Sequence, residues 1–295
     1  APVVLHEEGH LTDYNSWKSR GWCRFERLAR ALTPATDTSV FVIKDDTTLC
    51  LTTALEWLVE SVGCGSFTIE SDRALLAGKV ADMFQRKVRH LSASGSWGEY
   101  RRWMGVSATV CRGLPSDLTD MLPVKSSCHP REVDEFLAVH HFSCATDTPH
   151  GTSTLHVAAG LGNVRVIEAL LARRASVNCR ERRDREDTGI RSGMRPLHMA
   201  AFHGHAAAIS ALLHGRADVT ALDHSGSTPM VFAVSSGAVE AQQELIKNRA
   251  DVSARNSLGL TMLDIGVITH KADSVRFALT LADVPRTCNE HGLNA

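Results

Sequence analysis

The sequence predicts a two-part chain: a solenoid of paired α-helices in the C-terminal half, joined to a smaller α/β unit at the N-terminus. Three observations carry this. A helix–turn–helix pattern recurs from Gly151 onward, with 33-residue steps between its later copies. The opening residues alternate a strand-like run, a helical stripe and a second strand-like run. At 295 residues and 43% hydrophobic content, the chain is large enough to bury two cores.

At the N-terminus, "APVVLH" and "TSVFVIKD" are short apolar or β-branched runs that suit strands. Between them, "GWCRFERLARAL" spaces Trp22, Phe25, Ala29 and Leu32 as one face of a helix. In "YNSWKSRGWCRFERLARAL", Tyr14, Ser19, Trp22, Cys23 and Glu26 resemble the Y-x-S-x-W-C-x-x-E-L segment of Toll/interleukin-1 receptor (TIR) domains, with Arg27 where that family usually has leucine. The resemblance implies a partial or diverged TIR-like domain that lacks the family's earlier strands and nucleotide-cradling loop, with Trp22 and Cys23 packing the helix. In NAD-cleaving members the glutamate is catalytic, so Glu26 is the matching residue and NAD the implied substrate.

Farther along, Leu76, Val80, Met83, Phe84, Val88 and Leu91 form one stripe of a helix that Ser71 is placed to cap. Trp97, Tyr100, Trp103 and Met104 mark a second helix expected to pack on it. Pro115, Pro123 and Pro130 mark a linker. The reading is therefore an α/β domain with a helical extension at 1–112, a linker at 113–130 and repeats at 131–290.

The repeats begin at Gly151, Gly193, Gly226 and Gly259, so the first step is 42 residues and the next two are 33. Their G-x-T-P-L-H-x-A-A-x-x-G-H pattern and period resemble the ankyrin repeat. Ser153 and Thr228 stand where a hydroxyl caps a helix, and Pro196 and Pro229 at the first helical position. Gly162, Gly204 and Gly237 permit the turn between helices, while Leu170, Leu212 and Leu245 head core pairs with the residues after them. Repeat four replaces histidine by Asp264 and reads as a worn capping unit. Val133 and Leu137 lie 33 residues before Val166 and Leu170, predicting a half-repeat at the other end. The resemblance gives His156 and His198 structural roles, with His203, His205 and His214 mostly at the surface.

The insertion "RERRDREDTGIR", Arg180 to Arg191, carries nine charges in twelve residues and is expected to be solvated or docked on a partner. The 32 basic residues nearly balance the 33 acidic ones, so no global field draws the chain to nucleic acid or an anionic membrane. No apolar run approaches the ~20 residues that span a bilayer. Eight cysteines at irregular intervals, with no C-x-x-C pair, suit reduced thiols in a cytoplasm-like compartment. Cys128, His129, His140, His141 and Cys144 are a conceivable zinc set, against a reading as surface histidines and buried thiols; no cofactor is expected.

The function that follows is a protein-interaction scaffold or adaptor, as a member of a larger complex, with a TIR-like NAD hydrolase regulated by the repeats as the alternative. The expected partner surface comprises Leu161, Met194, Phe202, His203, His224 and Ser225 on the concave side, with Arg180, Arg182, Arg183 and Arg185 at its rim. Met194 and Phe202 are the expected apolar anchors, because the pattern leaves their positions outside the core.

Overall fold

The structure, a computed structural model, describes residues 4–5, 11–12, 19–33, 41–43, 49–51, 60–115, 132–146, 152–182 and 190–281. These group into two compact units. One holds the described residues up to Ser96 together with 108–115; the other holds 97–107 and everything from Glu132 onward.

In the first unit, β1 (Val4–Leu5) pairs antiparallel with β2 (Leu11–Thr12), and β3 (Phe41–Ile43) antiparallel with β4 (Leu49–Leu51). This corrects the expected α/β, TIR-like arrangement, which needs parallel strands side by side across a helical crossover. Here each strand finds the nearest strand in sequence, and among the described residues no sheet joins β1 to β3. Helix α1 (Gly21–Leu32) packs on α2 (Ser71–Ala93). Their interface buries Leu28 and Leu32 with Leu76, Val80, Phe84, Val88 and Leu91, so the predicted stripe holds apart from the half-exposed Met83.

Two polar groups are sealed into this unit with partners. Arg27 pairs with Glu60 at 2.7 Å, and Lys87 donates to the Thr33 carbonyl at 2.9 Å. Trp22 does not pack inward as expected. It is exposed, with its indole N–H on Asp72 at 2.9 Å. Ser71 does not cap α2 either, because it already lies inside the helix and Glu70 stands at the N-cap.

The second unit is a solenoid. Inner helices α5 (Thr154–Gly160), α7 (Pro196–His203), α9 (Pro229–Ser236) and α11 (Met262–Ile268) alternate with outer helices α6 (Val164–Ala172), α8 (Ala206–His214), α10 (Val239–Lys247) and α12 (Ala272–Thr280). Inner helices pack on inner and outer on outer from repeat to repeat. Leu170, Leu212 and Leu245 are fully buried, whereas the residue after each is half-exposed, so only the first residue of each expected pair fills the shared core.

Before them, α4 (Glu132–Val139) packs on α6 through the buried Val133 and Leu137, which makes it the outer helix of the predicted half-repeat. The segment Trp97–Ser107 of α3 (Trp97–Val110) groups with the repeats and not with the N-terminal unit, where the sequence reading placed it. Gly160 of α5 explains why: a Cβ there would lie 2.5 Å from the Gly105 carbonyl oxygen, so the backbone of α3 comes this close only because that residue has no side chain. Arg101 then donates to the carbonyls of His140 and His141, which end α4, while Trp97 stacks on the His141 ring at 3.5 Å.

The N-terminal caps of the inner helices vary in chemistry. Ser153 accepts from the His156 N–H while His156 Nδ1 accepts the Ser153 N–H, closing a reciprocal box. Arg195 offers no acceptor, and only His198 Nδ1 closes on its N–H, at 3.1 Å. Thr228 stands at the N-cap but its buried hydroxyl makes no hydrogen bond, because this repeat has Val231 at the histidine position. In repeat four, Asp264 takes the Thr261 N–H and hydroxyl, each at 2.8 Å. The substitution that reads as wear in sequence preserves the cap.

Candidate interaction surface

The turns between repeats project as fingers. Each is a short hairpin: Asp223 N–H to the Ser227 carbonyl closes one at 3.1 Å, and Asn256 N–H to the Leu260 carbonyl the next at 3.1 Å. Buried Asp223 fixes its finger from inside, accepting from the N–H groups of Ser225 and Ser227. Neighbouring fingers join edge to edge, through His224 N–H to the Ser192 carbonyl at 2.9 Å and Ser257 N–H to the Ser225 carbonyl at 3.0 Å. The result is one ridge across three repeats.

The first finger carries the insertion. Its stem is a backbone pair in which Glu181 N–H reaches the Met194 carbonyl at 2.7 Å and Gly193 N–H the Glu181 carbonyl at 2.8 Å. The insertion is not uniformly solvated as expected. Glu181 is buried, with its carboxylate on the Thr152 hydroxyl at 2.7 Å, while Arg180, Arg182 and Arg191 face solvent. Arg183 and Arg185 lie outside the described residues.

The expected anchors are not at the surface. Met194 is 1% exposed, Phe202 4% and His203 5%. Phe202 meets Phe232 of the next repeat edge-on at 6.0 Å and the His203 ring at 5.1 Å, and every residue of α7 and α9 is buried. The sequence pattern marks these positions as free to vary, but stacked aromatic rings from successive repeats close over them. Leu161 and Ser225 are half-exposed, and His224 is exposed. The ridge also presents Leu222 at 52% and Leu258 at 62% exposure; the repeat pattern marks Leu258 as a variable surface position, whereas sequence reasoning missed Leu222. The signal was available: both are leucines in polar, turn-forming stretches where no core position exists.

The structural histidines are fully engaged. His156 Nε2 lies 3.0 Å from the Met194 carbonyl and His198 Nε2 3.3 Å from the Ser227 carbonyl. Burial pushes His198 down to about 4. At His156, burial opposes the charge, but the adjacent Cys179 and the Met194 carbonyl outweigh it, leaving the group above its ordinary value. His205, half-buried, reaches the Gly160 carbonyl at 3.0 Å.

Of the conceivable zinc ligands, Cys128 and His129 lie outside the described residues. Burial holds His140 down to about 3, His141 stacks on Trp97, and Cys144 is exposed beside the Thr146 hydroxyl. No group of three metal-binding side chains forms among the described residues. Glu26 is exposed on α1. Among the described residues, no helix is long and apolar enough to cross a membrane.

A family model described as ankyrin repeats, in three copies, matches residues 155–256 and again 197–286. No curated protein matches the chain, and nothing in these comparisons supports a TIR-like N-terminal segment. The period, the capped inner helices and the joined fingers agree with the family model: residues 155–286 of this chain are ankyrin repeats.

Proposed function

We propose that the repeats form a protein-binding module that meets its partner on the finger ridge. The observation that carries this is the contrast between tied fingers that expose His224, Ser257 and Leu258, with Leu222 exposed at the base of one of them, and inner helices α7 and α9 buried throughout. Exposed leucines on a rigid, hydrogen-bonded support supply contact area at little ordering cost. Arg180, Arg182 and Arg191 stand beside them and steer association more than they add affinity.

The same reading makes Glu26 a solvent-facing helix residue and not a catalytic carboxylate. It also places the chain in a reducing compartment such as the cytoplasm, supported by the free thiols of Cys23, Cys64, Cys111, Cys144 and Cys179.

The test is affinity capture of the full chain from native extract, side by side with a Leu222→Glu, Leu258→Glu double variant. A protein that co-purifies stoichiometrically with the parent and is lost with the variant supports the reading. Equal recovery by both moves the interface off the fingers.

A further inference from the structure

The outer helices α6, α8 and α10 all end in the same turn. The N–H groups of Ala175, Ala217 and Ala250 reach back to the carbonyls of Leu170, Leu212 and Leu245 at 2.9 to 3.0 Å, and the residue before each alanine bonds one turn inside. This is the Schellman closure, which puts that preceding residue in the left-handed region where glycine is favoured. Here it is arginine three times: Arg174 at φ 64°, Arg216 at 68° and Arg249 at 64°. The half-repeat helix α4 closes identically on another basic residue, His141 at φ 54°.

The inner helices supply an internal comparison. Helices α5, α7 and α9 make the same turn on Gly162, Gly204 and Gly237. There a side chain is barred; a Cβ on Gly204 would lie 2.7 Å from that of Ala238. The outer ends are exposed and accept a side chain, at the expense of backbone strain. Attraction to the helix dipole explains a cation near each helix end, but His214 and Lys247 already stand in the last turns of α8 and α10. It does not explain arginine at the one position of the turn that disfavours any side chain.

None of the three guanidinium groups makes a hydrogen bond or ion pair with another described residue. The carboxylates that follow them are engaged elsewhere, Asp218 with Arg195 and Thr220, and Asp251 with Ser253. Successive outer helices pack side by side, so the arginines recur at roughly the ~8–10 Å spacing of packed helices. A segment in the polyproline II form of the extended chain advances ~3.1 Å per residue with three residues per turn, which brings every third side chain to one face and opposite an arginine. Between α6 and α8 opens a shallow groove lined by Leu171, Ala207, Ala211 and Gly215 together with Glu168 and His214; the arginines of the row lie outside its lining.

We propose that Arg174, Arg216 and Arg249 form a docking strip for an extended acidic segment of a partner protein carrying Asp or Glu at every third position. Guanidinium forks match carboxylates with two parallel hydrogen bonds, which suits arginine over lysine at these sites. The near-neutral chain supplies no wider field for a nucleic acid. The inference rests on the protein-binding reading above but uses a different surface of the same repeats.

The test is fluorescence anisotropy of a labelled peptide of about twelve residues, long enough to pass all three arginines, with Glu at every third position, titrated with the full chain at low salt. Saturable binding is expected, weakened about tenfold both in the triple Arg174→Gly, Arg216→Gly, Arg249→Gly variant and when the same glutamates are clustered at one end of the peptide. The triple variant should melt no lower than the parent, which separates lost binding from lost folding. The Leu222→Glu, Leu258→Glu variant should bind the peptide normally. The proposal falls if no saturable binding occurs, if the triple variant binds undiminished, or if a DNA duplex of similar charge binds more tightly than the peptide. In each of those cases a captured partner that depends on Leu222 and Leu258 would leave the finger reading intact.

Discussion

The Cys179 sulfur lies 3.8 Å from His156 Nδ1, and the Ser153 hydroxyl touches both, at 2.9 Å from the sulfur and 2.8 Å from the nitrogen. Since His156 Nε2 faces a carbonyl, which only accepts, that nitrogen keeps its proton and Nδ1 is left basic toward the thiol. Burial works against the thiolate, but His156 and Ser153 together bring Cys179 below its ordinary value. Cys111 is pushed up to about 11 by burial alone. Under limiting iodoacetamide at neutral pH, Cys179 should therefore label well before Cys111, as read by peptide mass spectrometry. Equal labelling of the two would show that the imidazole does not activate the thiol.

Acid should destabilise the solenoid from just below neutrality. His198 and His140 are held down to about 4 and about 3, against an ordinary value of 6.5, so between those limits the unfolded chain binds protons that the folded chain refuses. Stability falls as pH drops through that window, by roughly 3–5 kcal/mol for each histidine once fully expressed. The raised value of His156 acts in the opposite range: its contribution is complete below 6.5 and is lost as pH rises through its folded value. Urea midpoints measured from pH 7 to pH 4 check the prediction, and a His198→Gln variant should show a shallower decline.

The two kinds of helix ending should respond oppositely to the same chemistry. Arg216→Gly relieves left-handed strain and should raise stability by about 0.5–1 kcal/mol. Gly204→Ala adds a Cβ in the same conformation against Ala238 and should lower it by at least about 1 kcal/mol. Paired melting curves decide it; a destabilising Arg216→Gly would mean that the helix dipole, not strain, dominates there.

Core truncations should separate stability from binding. Leu212→Ala should cost about 2–5 kcal/mol and Phe202→Ala about 3–5 kcal/mol, the ranges for buried leucine and phenylalanine. Because Phe202 is enclosed by Phe232 and His203, partner affinity per folded molecule should stay the same in Phe202→Ala. Titration calorimetry on the folded fraction would expose an interface role if affinity dropped.

Incubated with NAD, the protein should consume none above a buffer control, and Glu26→Gln should change nothing. Turnover that disappears in the variant would restore the hydrolase alternative.

The sequence by itself determined the solenoid, because a repeat is a local object. Its period, its proline and glycine positions, its core leucines and its half-repeat at Val133 and Leu137 all depend on neighbours within about one turn or one repeat. The arginines that end α6, α8 and α10 stand in the same periodic register, although their meaning needed the φ angles. Tertiary structure decided what repetition does not encode. Whether Phe202 faces solvent depends on Phe232 thirty residues on, and whether Trp97 to Ser107 joins the repeats depends on Gly105 meeting Gly160. A strand, helix and strand in order did not make a parallel sheet, because strand pairing is a long-range choice and the nearest partner in sequence was available to each strand. The Cys179, His156 and Ser153 contact is of the same kind: residues from a helix start and a finger that only the folded repeat brings within reach.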